Sequence, residues 1–356
     1  MSGADHLAVG GVIERQPPVS EAPERGHLLR RLLGLGVLIA LVALAVTALP
    51  GLGTLRARFV RADALLLAGV GLLKLASCLS NVVAFRDVFC PRMGWRFSYE
   101  LGMAEQATNV LVPTGGAGGL ALGAWALRQG GMSTEHIGRR SVEFFVLTSL
   151  PNFAFAAILG PLLLLGVFSG DVPTAITAVF SALAWACVAV VAALPLVLTR
   201  IDPDKSSGRV MHKVRVAAVI LGRGIRDTGE LLRSGRWPAI LGAFGYLAFD
   251  IAALMVSFSA FGGAPPLAPL IFGYVIGQLG GLIPLPGGIG GTDGGLIAAM
   301  VLYGSSLPQA TAAVLAYRAF QLGVPAILGT IAFGHLRTTL SRSGAPAAHC
   351  EPLAEA

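Results

Sequence analysis

Residues 281–296 read GLIPLPGGIGGTDGGL, and residues 109–120 read NVLVPTGGAGGL. Each is an apolar run that meets proline, breaks on a cluster of glycines and resumes as an apolar run. Proline lacks a backbone donor and disrupts the helical ladder, so Pro113, Pro284 and Pro286 interrupt these segments. The glycines beside them are Gly115, Gly116, Gly118 and Gly119 in the first copy, and Gly287, Gly288 and Gly290 in the second. Glycine also has a plainer use in membrane helices, close packing through small residues. That use does not account for the neighbouring prolines. Apolar segments broken at corresponding places in two halves of a membrane protein point to a transport site.

The rest of the chain reads as a membrane protein. Of its 356 residues 54% are hydrophobic and 13% charged, with a mean hydropathy of +0.74. A soluble domain carries about 25% charged residues. The stretches 32–50, 62–85, 142–168, 173–199 and 308–334 are each long enough to cross about 30 Å of hydrocarbon as a helix. Stretch 238–262 is a sixth and carries Asp250. Regions 98–130 and 267–303 are apolar but interrupted. Residues 1–28 are polar and rich in Pro, Glu and Gly, the composition of a disordered tail. The lead is too long, and the following apolar run too extended, for a cleaved signal peptide. Residues 29–340 form one transmembrane domain in this reading, and 341–356 a second disordered tail.

Basic residues set the orientation. With the N-terminus inside, most of the 26 Lys and Arg fall on cytoplasmic segments, nine of them between 200 and 237. Arg56, Arg58 and Arg61 fall outside, and Lys74 and Arg318 lie within spans. The broken segments then become hairpins. Residues 98–112 and 116–130 enter and leave on the cytoplasmic side, and 267–283 and 293–303 on the outer side. Two opposed re-entrant hairpins are what an inverted repeat requires. The expected fold is therefore an all-α, polytopic helical bundle with broken-helix hairpins. Full crossings by both broken segments are the alternative. Non-helical backbone at that depth has to be buried in protein or line a wet cavity. Segment 200–237 places Val214, Val216, Ala217, Ile220, Leu221 and Ile225 at helical spacing among basic residues. It reads either as a basic amphipathic helix on the anionic inner leaflet or as an ordinary positive-inside loop.

Several chemistries have no sequence support. Cys78, Cys90, Cys187 and Cys350 form no CxxC, and no disulfide framework or metal site is readable. The histidines lie outside the central apolar spans, and neither HExxH nor GxSxG occurs. GAGGLA at 116–121 lacks the preceding strand of a dinucleotide loop. The net charge of +7 belongs to loops rather than to a nucleic-acid surface. No cofactor is expected.

Ionisable residues in apolar spans carry the functional signal, because a carboxylate at a span centre costs about 2.5–3.5 kcal/mol and needs a partner or water. The candidates are Glu105, Glu143, Asp250 and Asp293, with Lys74 and Arg318 as cations. Asp293 follows the second glycine break near a helix start, where a carboxylate is favoured by the helix dipole. Its plain role is a cap; its functional role is to pair with a cation or relay a proton. Arg318 lies mid-helix beside Tyr317. A guanidinium stays charged and grips carboxylate or phosphate in a two-pronged geometry. It serves either an internal ion pair with Asp293 or Asp250, or a grip on lipid phosphate. Glu105, Gln106 and Asn109 recur at helical spacing before the first break. Thr114 and the amides of Gly115 and Gly116 offer donors to an anion.

At these residues the chain resembles a known family. PGGIGGTDGG (286–295), followed by a helix and LAYRAFQLGVPAILG (315–329), is similar to the flippase-like transmembrane domain of lysylphosphatidylglycerol synthases. The matching positions are Pro286, Gly287, Gly288, Ile289, Gly290, Asp293 and Arg318, and in the first half Asn109, Pro113 and Gly115–Gly119. The resemblance covers about residues 30–335. Two positions differ: Asp293 stands where the family usually has glutamate, and GGAGGLALG (115–123) lacks the Glu and Arg often found there. The soluble aminoacyl-transfer domain of the full-length synthases is not in this sequence, so lipid modification is not carried over. The resemblance implies a multi-pass protein of a bacterial plasma membrane. It would translocate an anionic phospholipid or polyprenyl-phosphate-type lipid past Asp293 and Arg318. A secondary transporter of a small anionic solute and a non-transporting partner of a lipid-modifying membrane enzyme are the alternatives. Membrane lipids are the expected partners, and a homo-oligomer or enzyme partner stays open.

Overall fold

The computed structural model describes residues 59–112, 117–168, 173–201, 209–278, 291–342 and Cys350. Every regular element among them is a helix. In chain order these are α1 (Ala64–Phe89), α2 (Trp95–Leu111), α3 (Ala117–Gln129), α4 (Thr134–Leu164) and α5 (Thr174–Leu198). They continue as α6 (Arg209–Ser234), α7 (Trp237–Ala260), α8 (Leu267–Gln278), α9 (Gly291–Leu302) and α10 (Leu307–Arg342). Five of them (α1, α4, α5, α7 and α10) are long and apolar enough to cross a membrane. The expected span at 32–50 lies outside the described residues, as do Pro113, Thr114, Gly115, Gly116, Pro284, Pro286, Gly287, Gly288 and Gly290.

Local signals set the helix ends. Asp63 caps α1, its carboxylate accepting from the amides of Leu65 (2.8 Å) and Leu66 (3.2 Å). Ser133 caps α4 through the amide of His136. Helices α3 and α9 end alike. Gly131 and Gly304 take positive φ, and the amides of Met132 and Ser305 donate back to the carbonyls of Leu127 and Met300. Only glycine enters that left-handed cap without steric cost.

The two interrupted regions each form an antiparallel helix pair. In α2/α3, Gly119 meets Asn109 and Gly123 meets Glu105. In α8/α9, Gly273 meets Met300 and Gly277 meets Leu296. Glycines four apart bring the backbones close in both pairs. At 1.5 Å per residue, the 12-residue helices α8 and α9 are each about 18 Å long. The 13 residues of α3 reach about 20 Å, short of a bilayer core.

The pairs open at opposite ends of the bundle. Near the ends of α2/α3, Arg236 pairs with Asp87, His136 meets the Phe89 carbonyl and Thr339 donates to Glu100 (2.6 Å). Near the ends of α8/α9, the Asp63 amide donates to Ala260, Gln309 to Gly263 and Thr177 bonds Tyr303 (2.8 Å). The first end carries Arg86, Arg92, Arg96, Arg128, Arg139, Arg140, Arg200 and the basic residues of α6; the second carries Arg61.

Helices α1 and α7 form the centre. Gly242 packs so closely that a Cβ there would stand 2.6 Å from the Ala84 nitrogen. Helix α10 runs behind both pairs. Its first half meets α9 and α7, with Ser257 donating to Ala313, and its second half lies along α2, where Gly329 abuts Met103.

Two features add to the sequence reading. Segment 200–237 does form a helix, but α6 is clamped onto α4 by Arg139–Asp227 and by Thr228 donating to the Glu143 carbonyl. Its apolar set splits: Ile225 is buried with Val219 and Leu231, while Val214, Ala217 and Leu221 face outward. The second feature is a disulfide joining Cys90 to Cys350. The partners are 260 residues apart, a separation at which spacing carries no signal.

Candidate functional site

Asp250 accepts from five side chains in the bundle interior. It sits on α7, is 2% exposed, and faces Lys74 of α1, itself 3% exposed. The Lys74 ammonium donates to Asp250 Oδ1 at 2.6 Å, with the Ser77 hydroxyl at 3.4 Å. Oδ2 accepts from the hydroxyls of Tyr274 (2.7 Å) and Tyr317 (2.8 Å) and from the Gln321 amide (3.2 Å). Gln278 in turn donates to the Tyr274 hydroxyl. One carboxylate thus ties together α1, α7, α8 and α10. A buried ion pair offsets its desolvation cost only when further hydrogen bonds fill the remaining valences, and here they do.

The network continues through α10. The Gln321 side-chain oxygen accepts from Arg318 Nη1 at 2.5 Å, while Arg318 Nε donates to Asp293 Oδ1 at 2.5 Å. Arg318 and Gln321 are three apart and share a helix face. Asp293 lies in the first turn of α9, where the helix dipole favours its charge. The chain of contacts therefore runs from Lys74 through Asp250, Gln321 and Arg318 to Asp293.

Beside this network lies a cavity of about 180 Å³. Lys74 and Tyr246 line it from α1 and α7, Gln106, Asn109 and Val110 from α2, and Arg318, Gln321, Leu322 and Pro325 from α10. Among the described residues, the two charged ones that line it are both cations. Asp250 and Asp293 neutralise them from behind without lining the space. Pro325 cannot donate to the carbonyl one turn earlier, so it frees the main chain at Gln321. Lys74 and Arg318 with the amides of Gln106 and Asn109 form a donor-rich surface suited to a phosphate or carboxylate.

The sequence candidates distribute unevenly around this space. Arg318 and Asn109 line it, Asp293 reaches it through Arg318, and Asp250 reaches it through Lys74 and Gln321. Asn109 also turns to α3 and accepts the Gly119 amide at 2.8 Å. Glu105 does not line the cavity; it packs against Gly123 in the α2/α3 interface. Thr114 lies outside the described residues. Tyr246, Tyr274 and Gln321 were not singled out from sequence. Their signal is polar groups at helical spacing in apolar helices: Tyr246 with Asp250, Tyr274 with Gln278, and Tyr317 with Gln321.

Comparison with known proteins places this arrangement. The family model for the lysylphosphatidylglycerol synthase TM region matches residues 31–329. The chain belongs to that family. The match takes in both broken helix pairs and every residue of the charged network. A protein named UPF0104 membrane protein, from Methanothermobacter thermautotrophicus, is 35% identical over 91 residues, a quarter of this chain. The aligned stretch spans 26% of that relative's length. For a member of this family, the resemblance read from PGGIGGTDGG and Arg318 stands.

Proposed function

We propose that the protein is a lipid translocator that passes the head group of an anionic phospholipid or polyprenyl-phosphate-type lipid through the Lys74–Arg318 cavity. The observation that carries this reading is the cavity's charge: the charged side chains lining it are cations, each held by a carboxylate set behind it. An entering phosphate takes the place of Asp293 on Arg318, and the carboxylate takes the guanidinium back as the phosphate leaves. Acyl chains stay in lipid throughout, since 180 Å³ is smaller than the space a drug-sized ligand fills.

In this reading α2/α3 and α8/α9 are re-entrant hairpins related as an inverted repeat. Their short arms and their opening at opposite ends of the bundle support it. The basic end faces the cytoplasm of a bacterial cell, and both termini lie there; in that reducing compartment Cys90 and Cys350 stand as neighbouring thiols. The protein is a carrier, and lipid chemistry is left to other proteins.

Proteoliposomes carrying lipids labelled on the acyl chain test the reading. Phosphatidylglycerol should reach the opposite leaflet faster than in protein-free vesicles, and soluble glycerol phosphate should not enter. Uptake of the soluble anion without lipid movement would establish a solute transporter instead. Movement of neither would point to the partner of a membrane enzyme.

A further inference from the structure

A second and larger space lies away from the central cavity. It is a groove of about 690 Å³ between α4, α5 and α6, and it shares no lining residue with the Lys74–Arg318 site. Phe145, Leu150 and Phe153 of α4 form one wall, and Val188, Val191 and Leu196 of α5 the other. Phe145 is 71% and Leu196 64% exposed, so the groove opens onto the apolar flank of the bundle. Helix α5 is the most apolar of the candidate spans and the least packed against protein. At the basic end the groove closes under α6, and its lining there includes Arg200, Arg226 and Arg233. Arg226 and Arg233 stand seven residues apart on one face of α6. All three are exposed; Arg226 has an outward ion pair with Glu230 at 3.1 Å, a contact of little strength.

We propose that this groove binds one anionic phospholipid, its phosphate held by Arg200, Arg226 and Arg233 and an acyl chain laid between α4 and α5. The assignment follows from the order of chemistry along the groove. An occupant entering from the bilayer has to be apolar at depth and anionic where the span ends, which is the layout of a phospholipid. Guanidinium groups bind phosphate oxygens in the two-pronged geometry they use for carboxylates. The clamping of α6 by Arg139–Asp227 fixes the lid of the groove independently of any occupant. This binding site stands whether or not the central cavity carries lipid.

Native mass spectrometry of the full chain in detergent tests the proposal, with phosphatidylglycerol, phosphatidylcholine or inorganic phosphate added. The chain should retain one phosphatidylglycerol, and phosphatidylcholine about tenfold less. Millimolar phosphate should not displace the lipid. The triple variant Arg200→Gln/Arg226→Gln/Arg233→Gln should lose about tenfold in retention. Ser149→Phe and Val191→Phe fill the groove from opposite walls with the arginines intact, and each should lose retention equally. Loss with the arginine variant alone would mean surface attraction and would overturn the site. Equal retention of the two lipids, or displacement by phosphate, would also overturn it. So would a lipid-free dimer that the groove-filling variants dissociate, because the occupant would then be a second copy of the chain.

Discussion

Two carboxylates, Asp250 and Asp293, hold the two cations of the cavity, yet they are built for different tasks. Asp250 accepts from Lys74, Ser77, Tyr274, Tyr317 and Gln321 and is closed off from solvent. Asp293 is partly open, its side chain 16% exposed, and shares Arg318 with Gln321. Removing Asp250 strands a buried ammonium, which costs about 3–5 kcal/mol. Asp250→Ala should therefore lower the unfolding midpoint in detergent strongly, while the double variant Lys74→Met/Asp250→Leu recovers most of it. A wild-type midpoint for Asp250→Ala would show that the pair does not hold the bundle. Sequence alone picks out Lys74 and Asp250 as ionisable groups in apolar spans but leaves their pairing open. They lie 176 residues apart, and Arg318 was an equally good partner for either acid. The faces of α2 divide Glu105 from Gln106. Glu105 is four residues before Asn109 and so lies on the face that meets α3, whereas Gln106, three before Asn109, takes the cavity face.

At the scale of elements, glycine sets how closely the helices around the broken regions pack. A Cβ at Gly277 would stand 2.7 Å from the Leu296 Cα, a backbone atom that moves only if α8 and α9 separate. A Cβ at Gly329 would strike the Met103 carbonyl of α2. At Gly123 the obstacle is the end of the flexible Glu105 side chain. Gly277→Ala and Gly329→Ala should each cost about 1–3 kcal/mol by overpacking, and Gly123→Ala less. Gly294→Ala, with open space at its Cβ, should be neutral or stabilising by up to about 1 kcal/mol. Unfolding of the four variants in one detergent checks the order, and equal midpoints would contradict the packing. Long apolar runs made α1, α4, α5, α7 and α10 legible to within a few residues at most ends. The attachment of α6 was not legible. Its apolar residues suit a membrane surface as well as a protein one, and only contacts such as Gly224 against Val142 decide between them.

Over the whole molecule, charge and architecture agree. Helix pairs open at opposite ends, the basic residues gather at one of those ends, and the polar network from Lys74 to Asp293 runs through the interior. A cytoplasm-active reporter fused after Ala356 should be active, and one inserted between Ser305 and Ser306 inactive. The reverse pattern would invert the assigned orientation. The path itself rests on Arg318, the residue that touches the cavity, Asp293 and Gln321 together. The most direct measurement is leaflet-resolved movement of phosphatidylglycerol in proteoliposomes, comparing the wild type, Arg318→Ala and Gly294→Ala as a folded control. Arg318→Ala should slow movement about tenfold or more, equivalent to about 1.4 kcal/mol, while Gly294→Ala keeps the wild-type rate. Equal rates for Arg318→Ala and the wild type would contradict the assignment of the path.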